Sequence, residues 1–342
     1  MGIVSDRRQT AQLLQRWGPV IHMRDADASG VARGLLRRQA DRGELRRLGK
    51  SAFAPVDVWE SASVRERFRL RSIAFGLCIS DDAHLTGPAA ALLLDLPLLS
   101  SPEGLPAAIR PGHPHTGHDR SPHGRVRHGH LPVGHRTVRS RVRTVSPAYC
   151  AVDIARHLGS LDGLVVADAV LHRGSDPEVL VELISRMQAY PGISTALWVV
   201  QNADARCESP LETLGRHAFI SAGMPAPRSN VWVWAGGRWF RVDHLLPDSG
   251  IVLEADGAVK YNDRPDANSV VANEKERERL LRRAGFGVVR YTWADAVSRP
   301  WIIVRRAREE QDQRQGRAVP TCWTLDSPCI TGGFASRSSA TG

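Results

Sequence analysis

The chain has 342 residues, 42% of them hydrophobic and 24% charged, with a formal net charge of +10. That length suits two or three domains, each able to bury a core. Five widely spaced cysteines without a Cys-x-x-Cys pair argue against a disulfide framework or a zinc ribbon, and no run of 18 apolar residues offers a membrane span. The N-terminus also lacks an apolar core flanked by a cleavage site, so a cytoplasmic protein with no membrane partner is expected. A cationic surface favours polyanions, although only three of the 46 basic residues are lysines and an arginine-rich composition raises the isoelectric point by itself.

Residues 1–58 read as helix, short helix, helix and a two-stranded wing. Ser5 and Asp6 are candidate caps for a helix carrying Leu13, Leu14 and Trp17, ended by Gly18-Pro19. In the segment 31–43, Val31, Leu35 and Leu36 fall on the inward face, while Arg33, Arg37, Arg38 and Arg42 point outward. Two β-prone pieces around Gly49-Lys50 follow. This is the order of a winged helix-turn-helix, with the third helix offered to a major groove and Lys50 at the wing tip near phosphates.

Residues 59–200 read as an α-rich middle domain. It contains a buried helix at "TGPAAALLLDLPLL" and another at "LDGLVVADAVLHRG" stopped by Gly174. Between them, residues 111–137 hold seven of the thirteen histidines, interleaved with Gly, Pro and Arg rather than spaced four apart on a helix. A mobile cationic loop is expected there instead of a metal site. Residues 316–342 lack periodicity and are expected to be disordered.

The stretch "RVDHLLPDSGIVLEADGAVKY", 241–261, carries the chemistry. If Pro247-Asp248-Ser249-Gly250 closes a hairpin, opposed residues have numbers summing to 497, so Asp243 faces Glu254 and Arg241 faces Asp256. Like charges directly opposite destabilise a sheet, and two carboxylates on an otherwise apolar strand call for a cation or a shared proton. Magnesium or manganese suits such hard oxygen ligands and also accepts phosphate oxygens. Lys260 and Lys275 are two of the three lysines and lie within 21 residues of Glu254, where either is a candidate point charge. Upstream, Ser209, Pro210 and Glu212 fit a capping box. Downstream, residues 268–286 form a helix expected to turn Lys275 toward the sheet, and "GVVRYTW" forms a further strand.

"ESPLETLGRHAF", the carboxylate hairpin and "EKERERLLRRAGFGVVRYTWAD", in that order, resemble the DUF559 group related to very-short-patch-repair endonucleases of the PD-(D/E)XK superfamily. The resemblance implies an α/β, restriction-endonuclease-like domain over 207–312, a mixed sheet flanked by helices, with Asp243, Glu254 and Asp256 as metal ligands and Glu212 contributed from the preceding helix. The superfamily lysine would lie two residues after Glu254, where this chain has Asp256, so Lys260 or Lys275 must substitute or no lysine takes part. The N-terminal half is similar to actinobacterial proteins with a winged-helix domain of the AbiEi antitoxin type.

A magnesium-dependent endonuclease acting on double-stranded DNA is the resulting expectation, with a homodimer left open. The alternative is a catalytically inactive DNA-binding regulator or antitoxin-like protein.

Overall fold

In the computed structural model, which describes residues 2–112, 118–257 and 267–328, the chain is mixed α/β with helices flanking mixed sheets. It divides into two units, Met1–Pro210 and Leu211–Gly342. Among the described residues no helix is long and apolar enough to cross a membrane.

The first unit begins with α1 (Gly2–Trp17), β1 (Ile21–His22), α2 (Met23–Ala28), α3 (Arg33–Asp41), β2 (Leu45–Arg47) and β3 (Ala52–Pro55). Leu13, Leu35 and Leu36 pack with Ile21 and Phe53 in one apolar cluster, as the helical spacing predicts. The strands form a small sheet in the order β1-β3-β2, so the expected two-stranded wing gains a third strand. Ser5 and Asp6 lie inside α1 rather than capping it, and Asp6 pairs with Arg42 instead.

No division falls at 58/59. After α4 (Val56–Ser61), α5 (Val64–Cys78) buries Phe68, Leu70 and Phe75 in a cluster that also contains Val20, Leu48 and Ala52. Arg141 further binds Asp25 and the Val20 carbonyl, both at 2.9 Å. A shared core and a polar tie make one body of what the sequence divides into two domains.

The middle region is not α-rich alone. With α6 (Gly87–Leu93), it contains β4 (His84–Thr86), β5 (Ala107–Pro111), β6 (His118–Ser121), β7 (Gly124–Gly129), β8 (Arg136–Arg139) and β9 (Val142–Val145), a six-stranded sheet in the order β6-β7-β5-β4-β9-β8. The described part of the segment expected to be a mobile loop is therefore mostly strand; its residues 113–117 lie outside the described residues. Helices α7 (Pro147–Leu158), α8 (Ser160–His172), α9 (Pro177–Ser185) and α10 (Ile193–Asn202) complete this unit, with Gly174 at φ 91° after α8 where a stop is expected.

The second unit runs α11 (Pro210–Ser221), β10 (Arg228–Ala235), β11 (Arg238–Leu246), β12 (Ile251–Asp256), α12 (Ala267–Arg283), β13 (Gly287–Thr292), α13 (Trp293–Ser298), α14 (Trp301–Asp312) and β14 (Trp323–Thr324). Its sheet order is β13-β12-β11-β10-β14. β10, β11 and β12 pair antiparallel, whereas β12 and β13 pair parallel across the α12 crossover. β14 comes from the segment expected to be disordered: Trp323 pairs with Val233 and half-buries its ring against the core, closing the β10 edge.

Candidate functional site

The hairpin register is the one the turn predicts. His244 pairs with Leu253, Leu245 with Val252 and Leu246 with Ile251, and Gly250, at φ 65°, donates its N–H to the Leu246 carbonyl at 2.9 Å. The ladder ends at His244–Leu253, and the next residue, Asp243, is close enough for its charge to act on Glu254. There the Asp243 Oδ2 accepts the Ala255 N–H at 2.7 Å, so the carboxylate takes the place of a ladder partner. On the other side of β11, pairing with β10 lapses between Ser229–His244 and Val231–Val242. Asn230, at that gap, has left-handed backbone (φ 52°), a conformation asparagine tolerates better than most residues.

Glu254 is buried, with 12% of its side chain exposed, and Arg277 reaches it from α12 to donate to Oε1 at 2.9 Å. The same guanidinium also donates to the Arg241 carbonyl. Burial pushes the Glu254 carboxyl up to about 7, against the pull of Arg277 and with the help of the Asp243 charge. Burial raises Asp243 as well, opposed by the Ala255 N–H and Arg277. Two neighbouring carboxylates that are costly to ionise together form the chemical core of the site.

Asp256 stands apart from this pair in its partner. Arg290 of β13, beside Glu254 in the parallel register, binds the Asp256 Oδ1 at 2.9 Å and lies 3.6 Å from Glu274 and 3.7 Å from Glu278. The pairing of β11 with β12 ends at His244–Leu253, short of the expected opposition of Arg241 and Asp256; the cation found on Asp256 is Arg290. Glu212 is buried in α11, where its Oε2 accepts from Asn230 Nδ2 at 2.7 Å and its carbonyl oxygen lies 3.0 Å from the His244 ring Nε2. Glu212 is thus tied to the two strand residues that flank Asp243 in space and in sequence.

The lysines divide differently. Lys260 lies outside the described residues. Lys275 is exposed on α12, two residues or about 200° around the helix from Arg277, so Arg277 occupies the face assigned to Lys275 by spacing. Arg277, Arg290 and Asn230 are all missing from the sequence-based set. The signal for Arg277 was present: it precedes the buried Leu281 by four residues and therefore shares its face.

Among the described residues no three His, Cys, Asp or Glu side chains converge as ligands for a metal ion, so the expected set of Asp243, Glu254 and Asp256 is not assembled as a triad. The donor chemistry that does fit magnesium or manganese is the Asp243–Glu254 pair. Asp243 Oδ1 and Glu254 Oε2 are each free of a hydrogen bond to the described residues, and magnesium commonly binds through one or two carboxylates while retaining waters.

The residues expected to meet DNA are exposed but unequally available. Arg33 pairs with Asp27, while Arg38 and Arg42 pair with Asp6 at 3.7 and 3.1 Å. Among the described residues Arg37 and Lys50 make no ion pair. Exposed pairs of this kind are weak and exchange readily for another anion.

No family model matches the chain. Two curated relatives from Mycobacterium tuberculosis are each 26% identical over 178 residues: the uncharacterized protein MT2308 of strain CDC 1551 / Oshkosh and the uncharacterized protein Rv2248 of strain ATCC 25618 / H37Rv. The match covers 52% of this chain and 64% of each relative. The crystal structure of the RV2827C protein from the same species aligns with a TM-score of 0.36 at 16% identity, over 66% of this chain and 83% of that one, a likeness that carries no argument.

Proposed function

We propose that the protein is a metal-dependent DNA endonuclease, with a winged-helix module in its first 58 residues and a restriction-endonuclease-like core in its second unit. The observation that carries this reading is the buried Asp243–Glu254 pair, with Glu254 held near neutrality by burial and one oxygen of each carboxylate open. Carboxylates cost less to ionise when a divalent cation lies between them. The order α11, β10, β11, β12, α12, β13 supports the nuclease-like core, and the order α1, β1, α2, α3, β2, β3 supports the winged helix.

Bound magnesium or manganese would polarise a scissile phosphate and lower the pKa of an attacking water. Asp243 and Glu254 would hold the ion, and the Ala255 N–H fixes the Asp243 carboxylate in place. Arg277, anchored between the Arg241 carbonyl and Glu254, brings a fixed positive charge to the site where the superfamily uses a lysine. Glu212, through Asn230 and His244, ties α11 to β10 and to β11, the strand that carries Asp243.

The test is nicking of supercoiled plasmid with magnesium, manganese or chelator. Cleavage should require the metal and should be lost in Asp243→Asn and Glu254→Gln while DNA binding persists. Metal-independent cleavage, or full activity in both variants, would sink the assignment. One observation favours the alternative of an inactive DNA-binding regulator: Asp256, at the superfamily lysine position, is committed to Arg290. That reading predicts salt-sensitive binding and no cleavage with either metal.

A further inference from the structure

The described part of the histidine- and arginine-rich segment presents exposed charge. In the β6–β7 hairpin Arg120 stands directly opposite Arg125, both exposed and neither paired with a carboxylate. Like charges facing across a ladder are destabilising. The nearby Asp119 offers little relief, since Arg110 binds it at 3.0 Å. The hairpin is also held rigidly: Ser121 Oγ accepts the His123 and Gly124 N–H groups at 3.2 and 3.1 Å, and Gly124 packs so closely on the Phe75 ring that a Cβ would collide with it.

The β2–β3 turn is fixed in a similar way. Arg47 donates to the Gly49 and Lys50 carbonyls at 3.1 and 2.6 Å, leaving the exposed Lys50 side chain without an ion pair. Both turns open onto one cleft of about 460 Å³ whose wall includes Lys50, Arg120, His123 and the Arg110–Asp119 pair over Phe75; Arg125 lies outside that wall, opposite Arg120 in the ladder. Three of the four outward arginines of α3 are already paired with carboxylates. Much of the uncommitted charge near the wing is therefore on Lys50, Arg120 and Arg125.

We infer that this wing–hairpin cleft binds the phosphate backbone of duplex DNA, with Lys50, Arg120 and Arg125 as phosphate contacts, so that the β6–β7 hairpin acts as a second wing. The inference rests on the DNA-binding part of the proposed function. Preorganised arginines whose mutual repulsion is relieved by an anion suit a polyanion, and turns locked by their own hydrogen bonds lose little freedom on binding.

The test is fluorescence anisotropy of labelled duplexes of several unrelated sequences, titrated with the full chain across a range of salt. Arg120→Ala/Arg125→Ala should weaken binding about tenfold at moderate salt and make the slope of log affinity against log salt shallower by about two, near 0.9 per lost phosphate contact. The loss should be alike for every sequence, the melting temperature should hold or rise as repulsion is removed, and Arg120→Lys/Arg125→Lys should keep most of the slope. Unchanged affinity and slope in the alanine variant, beside weakened binding in Arg37→Ala, would overturn the cleft and leave DNA binding intact. Weaker binding accompanied by a lower melting temperature in both double variants would assign the arginines a structural role and also overturn it. Wild-type protein that binds no duplex even at low salt would refute the DNA-binding reading itself.

Discussion

Glu254→Gln isolates the energetic cost of the carboxylate pair. In the folded chain burial raises the Glu254 carboxyl from its usual 4.5 to about 7, so the protonated form is favoured by folding. The stability it contributes is fully present below 4.5 and is lost as pH rises through about 7. A difference of this size amounts to about 3 kcal/mol. Glutamine keeps the shape and an acceptor for Arg277 but never ionises. Hydrogen exchange of the β12 amides, compared between variant and wild type at each pH in chelator, reads the local opening free energy without requiring the two units to unfold together. The glutamine variant should gain on the wild type by about 3 kcal/mol between pH 5 and pH 8, about a hundredfold in relative protection. Added magnesium should restore the wild type at pH 8 and leave the variant unmoved, because a ligand of the ionised pair stabilises only the chain that has it. A difference between the two proteins that does not vary with pH would refute the argument that Glu254 is strained by its charge.

Two further outcomes test the fold around the sites. Asp153, 2% exposed, accepts from Thr86 Oγ1 and Arg127 at 2.7 Å each; burial opposes its ionisation, but Arg127, His157 and Thr86 override it and hold the carboxyl well below the usual range. Its contribution is therefore present above the unfolded value of 3.8 and lost as pH falls through the lower folded value, and Asp153→Asn should cost the first unit about 3 kcal/mol at neutral pH in urea denaturation, with a flatter acid limb. Gly215→Ala should lower the melting temperature of the second unit despite the better helix propensity of alanine: a Cβ there collides with the Tyr291 ring, and overpacking costs about 1–3 kcal/mol against about 1 kcal/mol gained.

What was legible in the sequence follows the strength of its period. The β11–β12 register from His244–Leu253 to Leu246–Ile251 could be derived because a Pro-Asp-Ser-Gly turn fixes the sum of opposed positions and the apolar alternation admits only one phase. β10 was equally readable, with Val231, Val233 and Ala235 buried in alternation before a Gly-Gly turn, yet it was passed over beside the more conspicuous acids. The middle sheet offered less. In β7 the strand "GRVRHG" buries one large apolar side chain, Val126, and its arginines resemble those of a solvated loop. β14 is two residues long and has no period to detect; it exists because the edge of β10 supplies its partners. The face of α12 drawn through Lys275, Glu278 and Leu281 or Arg282 leaves out Arg277, although Arg277 precedes the buried Leu281 by four residues.

Asp256 and Arg290 form one ion pair across two neighbouring strands. A lysine at 256 would place its ammonium beside the Arg290 guanidinium, which β13 fixes next to Glu254 by parallel register. With arginine in that position, an acid at 256 is the compatible choice, and Arg290 then also balances Glu274 and Glu278 from α12. Arg277 meanwhile reaches Glu254 from the helix that crosses between the two parallel strands. Positive charge at this site thus comes from a neighbouring strand and the crossover helix instead of from the strand that bears Glu254. A guanidinium held by several partners is a fixed donor rather than a titratable amine, so it can stabilise developing negative charge but cannot serve as a general base near neutral pH. On the proposed reading, in which Asp243 and Glu254 hold the ion as ionised ligands, a proton taken from an attacking water would therefore have to go elsewhere than to these guanidinium groups.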